Sequence, residues 1–462
     1  MRLKGHGMEV YMNLLTAFLV IYFGYTFYYV RYTKMKKKLD HIILGCVADD
    51  FTGASDAASF LAKKGIKTLL FNGIPKEEKE LGDCAAIVIA MKTRSIPAKE
   101  AADDTLRAIE WLKEQGVERY YIKYCSTFDS TPKGNIGPDI DAVLEKYNIP
   151  YTLLCPSLPV NKRIVKNGVL IVDGKPIAEG HMANHPLNPM WASELSELMR
   201  EQGKYSCLIL NEQDMSKSAE KIRNTVEEYA KEHEYFYIVP EYASDEDGKK
   251  IADIFGHEKL LTGGSGLLEF LAADIVETYD CYDADTSGKH VKGRGIALSG
   301  SCSTATCEQC KTYSKENPAI AVYPEKLLIG EQTVEKIWEE ISKNPDKEYL
   351  VYSAGATDPE SRHYDSEERA EKASQKLEET MAAIGKLAYD VGYTRIICAG
   401  GETSGAIALA LGFDGFIIGE SIAPGVPILT PLHNQNIRLA LKSGNFGQTD
   451  FFRRALDMTK EQ

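Results

Sequence analysis

From residue 40 onward, short apolar and β-branched runs alternate with longer segments whose apolar positions recur at helical spacing. The run HIILGCVA predicts a buried strand, and Ser55 to Lys64 predicts a helix that ends at Gly65. Further strands are predicted for IKTLLF, AAIVIAM, RYYIKYC and YTLLC, with the amphipathic helix AKEAADDTLRAIEWLKEQG among them. Because this alternation is typical of parallel sheets covered by helices, it favours an α/β fold.

A second series of the same kind begins near Gly295, with strand candidates GIALSGS, AIAVYP, YLVYSAG, RIICAGG and GFIIG. The polar, glycine-containing stretch DADTSGKHVKGRG separates the two series and indicates a linker. We therefore predict two α/β domains with mainly parallel sheets and an active-site cleft between them. The predicted divisions are a hydrophobic leader over residues 1–38, a first domain over 39–282, a linker over 283–294 and a second domain over 295–462.

The leader contains an uncharged apolar run of 21 residues from Val10 to Val30, which is long enough to span a bilayer as a helix. Five basic residues follow it, so the positive-inside rule places the main body in the cytosol. In the alternative interpretation Met35 is the true start, and MKKKLDHIILGC opens an ordinary soluble enzyme. Both interpretations stay open at this point, and both leave the remainder of the chain cytoplasmic.

Composition narrows the class of protein. The chain has 462 residues, of which 44% are hydrophobic and 26% charged, as in an ordinary globular protein. Its formal net charge of -13 argues against general affinity for nucleic acid, which requires a basic face.

Ten scattered cysteines indicate reduced, buried thiols. Cys302, Cys307 and Cys310, with Cys398 as a fourth ligand, match one iron–sulfur spacing, but their turn and helix context favours thiols.

Polar clusters follow several strands of the first series, where ligands bind in open α/β sheets. ADDFTGASD follows the first strand, KTRS follows AAIVIAM, and KYCSTFDSTPKGNIG follows RYYIK. We expect one rim to collect the charged side chains Asp49, Asp50, Arg94, Lys123, Asp129 and Lys133.

Two adjacent carboxylates need a compensating cation, metal or proton, and such pairing shifts pKa values. One of Asp49 and Asp50 could accept a proton from a substrate hydroxyl, while the other holds a second hydroxyl or a magnesium-bound water. Gly53 permits close backbone approach beside them. In the alternative, one of the two only caps the nearby helix. The neighbouring polar clusters favour a site.

Small-residue turns distinguish the second series. LSGSCS, AGGETSG and LKSGNFG expose backbone N–H groups and hydroxyls that suit phosphate oxygens, and TGGSG is a fourth such turn near the domain junction. Tight packing is the alternative for each. A P-loop is excluded because its motif is absent.

His185 could bind substrate, although a structural role is the default. Arg163 could hold a carboxylate, although a solvated surface arginine is the default.

With these motifs in order, the sequence from about Ile42 to its C-terminus resembles the four-carbon acid sugar kinase family. The resemblance rests on ADDFTGASD, KYCSTFDSTPKGNIGP, CPSLPVN, HPLNPM, TGGSG, LSGSCS, AGGETSG, IAPGVP and LKSGNFG. CSTFDST with HPLNPM resembles the 3-oxo-tetronate kinase branch more than the threonate or erythronate branches. The hydrophobic leader is a departure from the family.

The resemblance implies ATP-dependent phosphorylation of the terminal hydroxyl of 3-oxo-tetronate, with magnesium and often with dimeric or larger assembly. It implies that the first domain binds the acid sugar through Asp49, Asp50, Arg94, Lys123, Ser126 and Asp129. It implies that the second domain binds ATP through Ser299, Gly401, Glu402, Thr403, Ser404 and Gly444. Asp50 is the candidate base, with Asp49 close behind.

Three other functions remain as alternatives. A threonate or erythronate kinase would keep the family and change the substrate. An aldolase-like or dehydratase enzyme with a metal on Asp49 and Asp50 would leave the phosphate turns unexplained. A non-catalytic, membrane-tethered sensor of sugar acids would bind its ligand without turnover.

Overall fold

The computed structural model describes residues 36–76, 81–184, 189–281 and 290–461. Regular elements of the first half of the chain are β1 (Lys37–Lys38), β2 (Leu44–Ala48), α1 (Phe51–Lys63), β3 (Thr68–Asn72), β4 (Ala86–Ala90), α2 (Ala98–Glu114), β5 (Arg119–Lys123), α3 (Ile136–Tyr147), β6 (Tyr151–Leu153), β7 (Arg163–Lys166), β8 (Val169–Val172), β9 (Lys175–Pro176), α4 (Leu195–Gln202), β10 (Ser206–Leu210), α5 (Glu212–Met215), α6 (Ala219–Ala230), β11 (Phe236–Pro240), α7 (Asp245–Phe255), β12 (Leu260–Gly263), α8 (Gly266–Thr278) and β13 (Tyr279–Asp280).

Those of the second half are β14 (Arg294–Ser299), α9 (Thr304–Tyr313), β15 (Ala319–Val322), α10 (Pro324–Leu328), α11 (Val334–Ser342), β16 (Tyr349–Ser353), α12 (Glu367–Asp390), β17 (Tyr393–Ala399), α13 (Gly401–Leu411), β18 (Gly415–Ala423), β19 (Val426–Pro431), β20 (Arg438–Lys442) and α14 (Phe451–Met458). Short 3-10 turns add to these elements near residues 159–161, 177–184, 354–356 and 359–362.

Twelve strands form one sheet in the order β12-β5-β2-β4-β3-β18-β19-β20-β17-β14-β16-β15. Pairing is parallel throughout the first five strands and again from β20 to β15. The predicted α/β fold with a mainly parallel sheet is therefore confirmed. Parallel pairing also aligns the carboxyl ends of these strands, where the polar motifs lie.

The two predicted sheets are joined edge to edge, which the sequence did not indicate. Strand β18 pairs antiparallel with β3, so that Phe416 lies opposite Leu70, and β19 pairs antiparallel with β18 and β20. Gly415 permits this close contact, because a methyl group there would lie only 2.8 Å from the Phe71 ring. Pairing of this kind satisfies backbone groups that two separate sheets would leave at exposed edges.

Helix α1 packs against both halves of the molecule. Its buried face consists largely of small residues, which let it lie close to the sheet. Phe51, at its start, contacts the ring of Phe416 edge-on at 6.1 Å between centroids. The largest apolar cluster runs from Leu44 on β2 to Leu441 on β20 without interruption. The N-terminus of α1 therefore lies on a core shared by both halves.

The predicted membrane-spanning run from Val10 to Val30 lies outside the described residues, as do His185 and residues 283–289 of the predicted linker. Within the described ranges, no helix has the length and apolar character needed to cross a bilayer. All ten cysteines are free, and Cys310 and Cys398 are buried while Cys302 and Cys307 are half-buried. No group of three or more metal-ligating side chains occurs among the described residues.

Candidate active site

Asp49 and Asp50 lie between the end of β2 and the start of α1. The helix begins at Phe51, four residues before the predicted start, and Asp50 is its N-cap. Asp50 Oδ1 accepts the Gly53 amide at 2.8 Å, and Oδ2 accepts the Thr52 hydroxyl at 2.9 Å. Asp50 thus has the capping role that the sequence offered as an alternative, in addition to its place in the charged cluster described next.

Arg94 is the cation that compensates the pair. Its Nε and Nη2 donate to the two carboxylate oxygens of Asp49 at 2.8 Å each, and Nη2 also lies 3.0 Å from Asp50 Oδ1. Burial acts to raise the pKa of Asp50, but Arg94, Lys123 and the hydrogen bonds from Thr52 and Gly53 hold that pKa below its usual value. Asp50 is therefore a carboxylate at neutral pH.

Lys123, at the end of β5, brings a second cation to the same place. A methyl group on Gly53 would lie 2.4 Å from Lys123 Nζ and 2.3 Å from Asp50 Oδ1, so a larger residue there would displace both side chains. The Lys123 side chain is buried, and its ammonium has no hydrogen-bond acceptor within the described part of the chain. An unpaired buried ammonium next to a cleft is suited to an anionic ligand.

Asp56 and Arg163 extend the cluster beyond the six charged residues that the sequence predicted for the rim. Burial raises the pKa of Asp56, although Lys123, a hydrogen bond from Ser265 at 2.5 Å and Arg163 act in the opposite direction. Arg163 donates to Ser126 Oγ at 2.5 Å and is half-buried. The default interpretation of Arg163 as a solvated surface residue is therefore wrong. Asp56 could have been suspected because it belongs to ADDFTGASD, whereas the Arg163–Ser126 contact depends on tertiary structure.

Asp129 lies behind Asp49 and Arg94, beside a cavity of about 20 Å³ that it shares with them, Lys123 and Asp139. Asp129 Oδ1 is buried without a hydrogen-bond partner. The preceding residue, Phe128, is held at φ +49°, an unfavourable conformation for a bulky side chain. Strain of this kind occurs where surrounding structure fixes a functional loop.

Lys133 does not join the rim that the sequence predicted for it. Its side chain is exposed in the turn before α3, and it forms no ion pair with the described residues. The chain leaves the end of β5 through a loop that carries Asp129 inward, and the loop then turns outward before Lys133. The spacing of charges along the sequence could not show this reversal.

In the second half, the three small-residue turns meet at Ser301. A methyl group on Gly400 would lie 3.2 Å from Ser301 N, and one on Gly444 would lie 2.5 Å from Ser301 Oγ. Gly400 itself adopts φ +115°, which favours glycine. The N-termini of α9 and α13 and the turn after β20 therefore surround one space, which we call the cradle.

The residues expected to bind ATP differ in their access to the cradle. Gly401 and Glu402 are exposed in the first turn of α13, and Gly444 is half-buried. Three others are buried beneath them, namely Ser299, Thr403 and Ser404. Their side chains support the turns, and the backbone N–H groups above them are available to a ligand.

Glu402 lies in hydrogen-bond contact with a second carboxyl group, that of Glu378. Burial and the neighbouring Glu402 raise the pKa of Glu378 on α12 to about 7, whereas Ser374 and Lys92 act to lower it. Lys92 follows β4 in the first half of the chain, so charges from both halves meet here. Two carboxyl groups in hydrogen-bond contact share a proton or require a cation.

The cradle adjoins the carboxylate cluster. A methyl group on Gly401 would lie 3.9 Å from Thr52 Cγ2, and the Thr52 hydroxyl is hydrogen-bonded to Asp50. Helix α13 therefore points its N-terminus, with its partial positive charge, toward the Asp49–Asp50–Arg94 group. This arrangement places an anion-binding helix end beside carboxylates that can orient or deprotonate a hydroxyl.

TGGSG is explained by tight packing, the alternative that the sequence left open for each of these turns. Methyl groups on Gly263, Gly264 and Gly266 would lie 2.3, 2.8 and 2.4 Å from the carbonyl oxygens of residues 155, 156 and 157. The glycines therefore let two backbone segments touch. A cavity of about 610 Å³ lies nearby, between the two halves of the chain, and Phe60, Leu158, Phe270, Ile422, Gly425 and Phe451 contribute to its walls.

Comparisons with known proteins find matches to both halves of the chain. The family model described as "Sugar-binding N-terminal domain" matches residues 44–271, and "Nucleotide-binding C-terminal domain" matches residues 296–452. The 3-oxo-tetronate kinase of Haemophilus influenzae is 39% identical over 417 residues, covering 90% of this chain and 100% of that protein. That of Actinobacillus succinogenes is 40% identical over 418 residues, with coverages of 90% and 100%.

Solved structures agree with this match. A crystal structure of a Salmonella typhimurium LT2 protein superposes with a TM-score of 0.80 at 37% identity, covering 89% of this chain and 98% of that one. The Haemophilus influenzae protein HI1011 superposes with a TM-score of 0.76 at 38% identity, with coverages of 90% and 100%. Fold, sequence and both domain models agree, and the chain belongs to the four-carbon acid sugar kinase family.

Proposed function

We propose that this chain transfers the terminal phosphoryl group of ATP to the C4 hydroxyl of 3-oxo-tetronate, giving the 4-phosphate. The observation that carries the proposal is the proximity of Thr52 to Gly401, where an added methyl group would lie 3.9 Å from Thr52 Cγ2, so that the carboxylate cluster adjoins the cradle. A hydroxyl bound at the first group would face a phosphate bound at the second. Relatives named 3-oxo-tetronate kinase support the choice of acceptor.

The first half of the chain would bind the acid sugar. Lys123 offers an unpaired ammonium and Arg163 a half-buried guanidinium, and either suits the substrate carboxylate. Asp50 would accept the C4 hydroxyl proton, because its low pKa keeps it ionised and it lies next to Thr52. Asp49 is held by two hydrogen bonds from Arg94, which suits it to orient the hydroxyl. Proton transfer to a positioned carboxylate accounts for roughly 10²–10⁴-fold in rate.

The second half would bind ATP through the cradle. Phosphate oxygens would accept backbone N–H groups at the N-termini of α9 and α13 and in the turn around Gly444. Gly401 leaves room for this approach, since Thr52 Cγ2 is the only atom from outside its own helix, among the described residues, within 4 Å of a methyl group placed there. Phosphoryl transfer depends mainly on positioning and charge stabilisation, which these donors supply. Because the substrate ATP is cytosolic, we propose a cytoplasmic location for the catalytic body.

The carboxylates beside the cradle fit magnesium as a cofactor. Glu402 is exposed at the cradle, and its contact with Glu378 leaves two carboxylates that need a cation or a proton. Magnesium in kinases is held by one or two carboxylates together with substrate phosphates, so Glu402 would hold it here. When bound, it neutralises phosphate charge during transfer.

The test is a coupled assay of ADP release with Mg-ATP and a panel of 3-oxo-tetronate, threonate and erythronate. We expect turnover with the 3-oxo acid and little above background with the others. Turnover with threonate or erythronate instead would keep the kinase and overturn the substrate. Thermal stabilisation by an acid without any ADP release would overturn catalysis and favour the sensor.

Two lysines of one motif provide a matched pair of variants for this assay. Lys123→Met removes the buried ammonium of the cluster, and Lys133→Met removes an exposed ammonium ten residues later. We expect Lys123→Met to raise KM for the acid on the order of tenfold to a hundredfold, because a charge-assisted hydrogen bond is lost. Lys133→Met should behave as the wild type. Equal KM values for the two variants would remove Lys123 from the acid site.

A further inference from the structure

Lys442, the last residue of β20, has an unusual position. Its side chain is fully buried, at 0% exposure, although it carries an amine. The amine donates to Thr306 Oγ1 at 2.9 Å, to Ser443 O at 3.1 Å and to Gly444 O at 3.0 Å. Two of these acceptors are carbonyls of the turn that forms one wall of the cradle. The amine therefore lies directly beneath that turn.

Side chains of α9 hold the same turn from below. Thr306 Oγ1 donates to Gly444 O at 2.7 Å, and Gln309 Nε2 donates to the carbonyls of residues 446 and 447 at 2.9 and 3.0 Å. The carbonyls of this turn are thus directed toward the interior. By contrast, the amide N–H groups of Gly444 and Asn445 donate to no acceptor within the described part of the chain. These two N–H groups are therefore available to a ligand, and Gly444 itself lies against Ser301.

We propose that Lys442 is a positioning residue for the nucleotide: it holds the 443–444 carbonyls inward, so that the opposite N–H groups bind phosphate, and it places a positive charge beneath that phosphate. This inference rests on the proposed function, because it requires ATP or ADP to bind at the cradle. It adds a residue that has no side-chain contact with the cleft. Backbone N–H groups oriented by a fixed turn form an anion-binding concavity of a known kind.

The protonation state of Lys442 follows from its surroundings. Burial lowers the pKa of Lys442 to about 7. The groups that face it are Thr306 and Cys310 of α9, the ring of Phe451 of α14 at 5.5 Å, and the turn itself. Burial raises the pKa of Cys310 to about 12, so that thiol is neutral. A phosphate above the turn favours the ammonium form, and nucleotide binding should therefore take up a proton.

Calorimetry with the full chain tests this directly. Titration of ADP at about pH 8, in two buffers of different ionisation enthalpy, gives the number of protons taken up on binding. We expect uptake of up to one proton per ADP, because burial lowers the pKa of Lys442 to about 7, and the phosphates of ADP, already ionised, favour the ammonium form, which alone has three N–H donors for the three acceptors. Binding without proton uptake would overturn the predicted change in the charge of Lys442, and an unchanged ADP affinity in Lys442→Met would overturn its positioning role.

The variant Lys442→Met assigns the proton to its source. It keeps the length and apolar stem of the side chain and removes the charge. We expect uptake to fall to near zero, ADP affinity to fall on the order of tenfold to a hundredfold, and KM for ATP to rise with little change in kcat. Glu378, with its pKa of about 7, is a second group that could take up a proton, and the variant retains it. Unchanged uptake in Lys442→Met would therefore overturn the assignment.

Lys311→Met is the matched control, since Lys311 is exposed on α9 and pairs with Glu308 on the same helix. It should bind ADP with wild-type affinity and proton uptake. Failure of the proposed function and failure of the role of Lys442 give different results. If the wild type does not bind ADP at all, the proposed function fails. If the wild type, Lys442→Met and Lys311→Met bind ADP equally, the cradle still binds nucleotide and only the role of Lys442 is overturned.

Discussion

Arg94 resolves the electrostatic problem of two adjacent carboxylates, and it does so asymmetrically. Two of its nitrogens bind Asp49, and one of these also reaches Asp50. Asp49 is therefore held in one orientation, while Asp50 is held by its own helix terminus. This asymmetry separates the two residues, which sequence motifs alone could not do. It favours Asp50 as the group that exchanges a proton and Asp49 as the group that orients.

Asp50→Asn should therefore abolish transfer while leaving the fold intact. Asparagine caps helices about as well as aspartate, so we expect little change in the melting temperature. We expect kcat to fall on the order of 10²–10⁴-fold, because the carboxylate proposed as the base is lost. ADP affinity, measured by calorimetry, should stay near the wild-type value.

Asp49→Asn is the comparison for this variant, since it removes the other charge of the pair. It should weaken binding of the acid more than it lowers kcat. An unchanged kcat in Asp50→Asn, or a larger loss of kcat in Asp49→Asn, would transfer the role of base to Asp49.

Gly401→Val tests the cradle with a single side chain. A methyl group at this position makes only an ordinary contact with Thr52, so the free protein should fold normally. The added branch would occupy space that phosphate oxygens need. We expect KM for ATP to rise on the order of tenfold or more at unchanged melting temperature. Gly405→Val, one turn further along α13, controls for the cost of a β-branched residue in the helix, since a methyl group there would meet no other element of the described chain within 4 Å. Equal KM values in the two variants would show that Gly401 does not contact the nucleotide.

Among the elements, the strands at the centre of the sheet were predicted within a few residues, because buried parallel strands are continuous apolar runs. The pattern did not show which strands would become neighbours. Strand β18 was predicted as GFIIG, but it extends to Ala423, and its pairing with β3 joins residues 344 to 348 positions apart along the chain. The three glycine-containing turns of the cradle could be recognised from the sequence. The contact of Arg163 with Ser126 could not, because it arises only when β7 folds beside the end of β5.

One buried ion pair fixes the elements behind the cradle. Arg395 on β17 is 1% exposed and donates to Glu348 Oε1 at 2.7 Å, and Arg453 on α14 pairs with the other oxygen of Glu348. Burial acts to raise the pKa of Glu348, but the two arginines hold it below its usual value. The pair therefore links β16, β17 and α14 through charge as well as packing.

Glu348→Gln should destabilise the protein by about 3 kcal/mol, because it leaves the Arg395 charge buried without a counter-charge. Glu368→Gln, which breaks an exposed pair with Lys372, should change stability by less than about 0.5 kcal/mol. Urea denaturation measures the free energy of unfolding of both variants.

The pH dependence gives a second test of the Glu348 ion pair. Because the pKa of Glu348 in the folded state lies below its unfolded value, its contribution to stability is present above about pH 4.3 and is lost as pH falls through the folded-state pKa. The difference in free energy of unfolding between wild type and Glu348→Gln should therefore narrow over that acid range. A difference that widens there would contradict the stabilising role of this ion pair.

At the scale of the whole molecule, the two family domains share one sheet and one apolar core. Helix α1 carries Asp50 at its N-terminus and packs on Phe416 of the second half, so the position of the carboxylate cluster relative to the cradle is set by packing. Direct strand pairing between β3 and β18 limits large movements at this junction.

Deleting residues 1–34 tests whether this folded body depends on the hydrophobic leader. The shortened chain would begin at Met35 and would keep β1, whose residues Lys37 and Lys38 pair with Tyr279 and Asp280. The site, the sheet and the shared core all lie within residues 36–461, so we expect kcat/KM and the melting temperature to match the full chain.

Flotation with phosphatidylcholine vesicles separates the two interpretations of the leader. A full chain that floats, beside a shortened chain that does not, would establish a membrane tether, since an apolar run of 21 residues is long enough to insert. If the shortened chain is insoluble or inactive, the leader is part of the fold and the Met35 start is wrong.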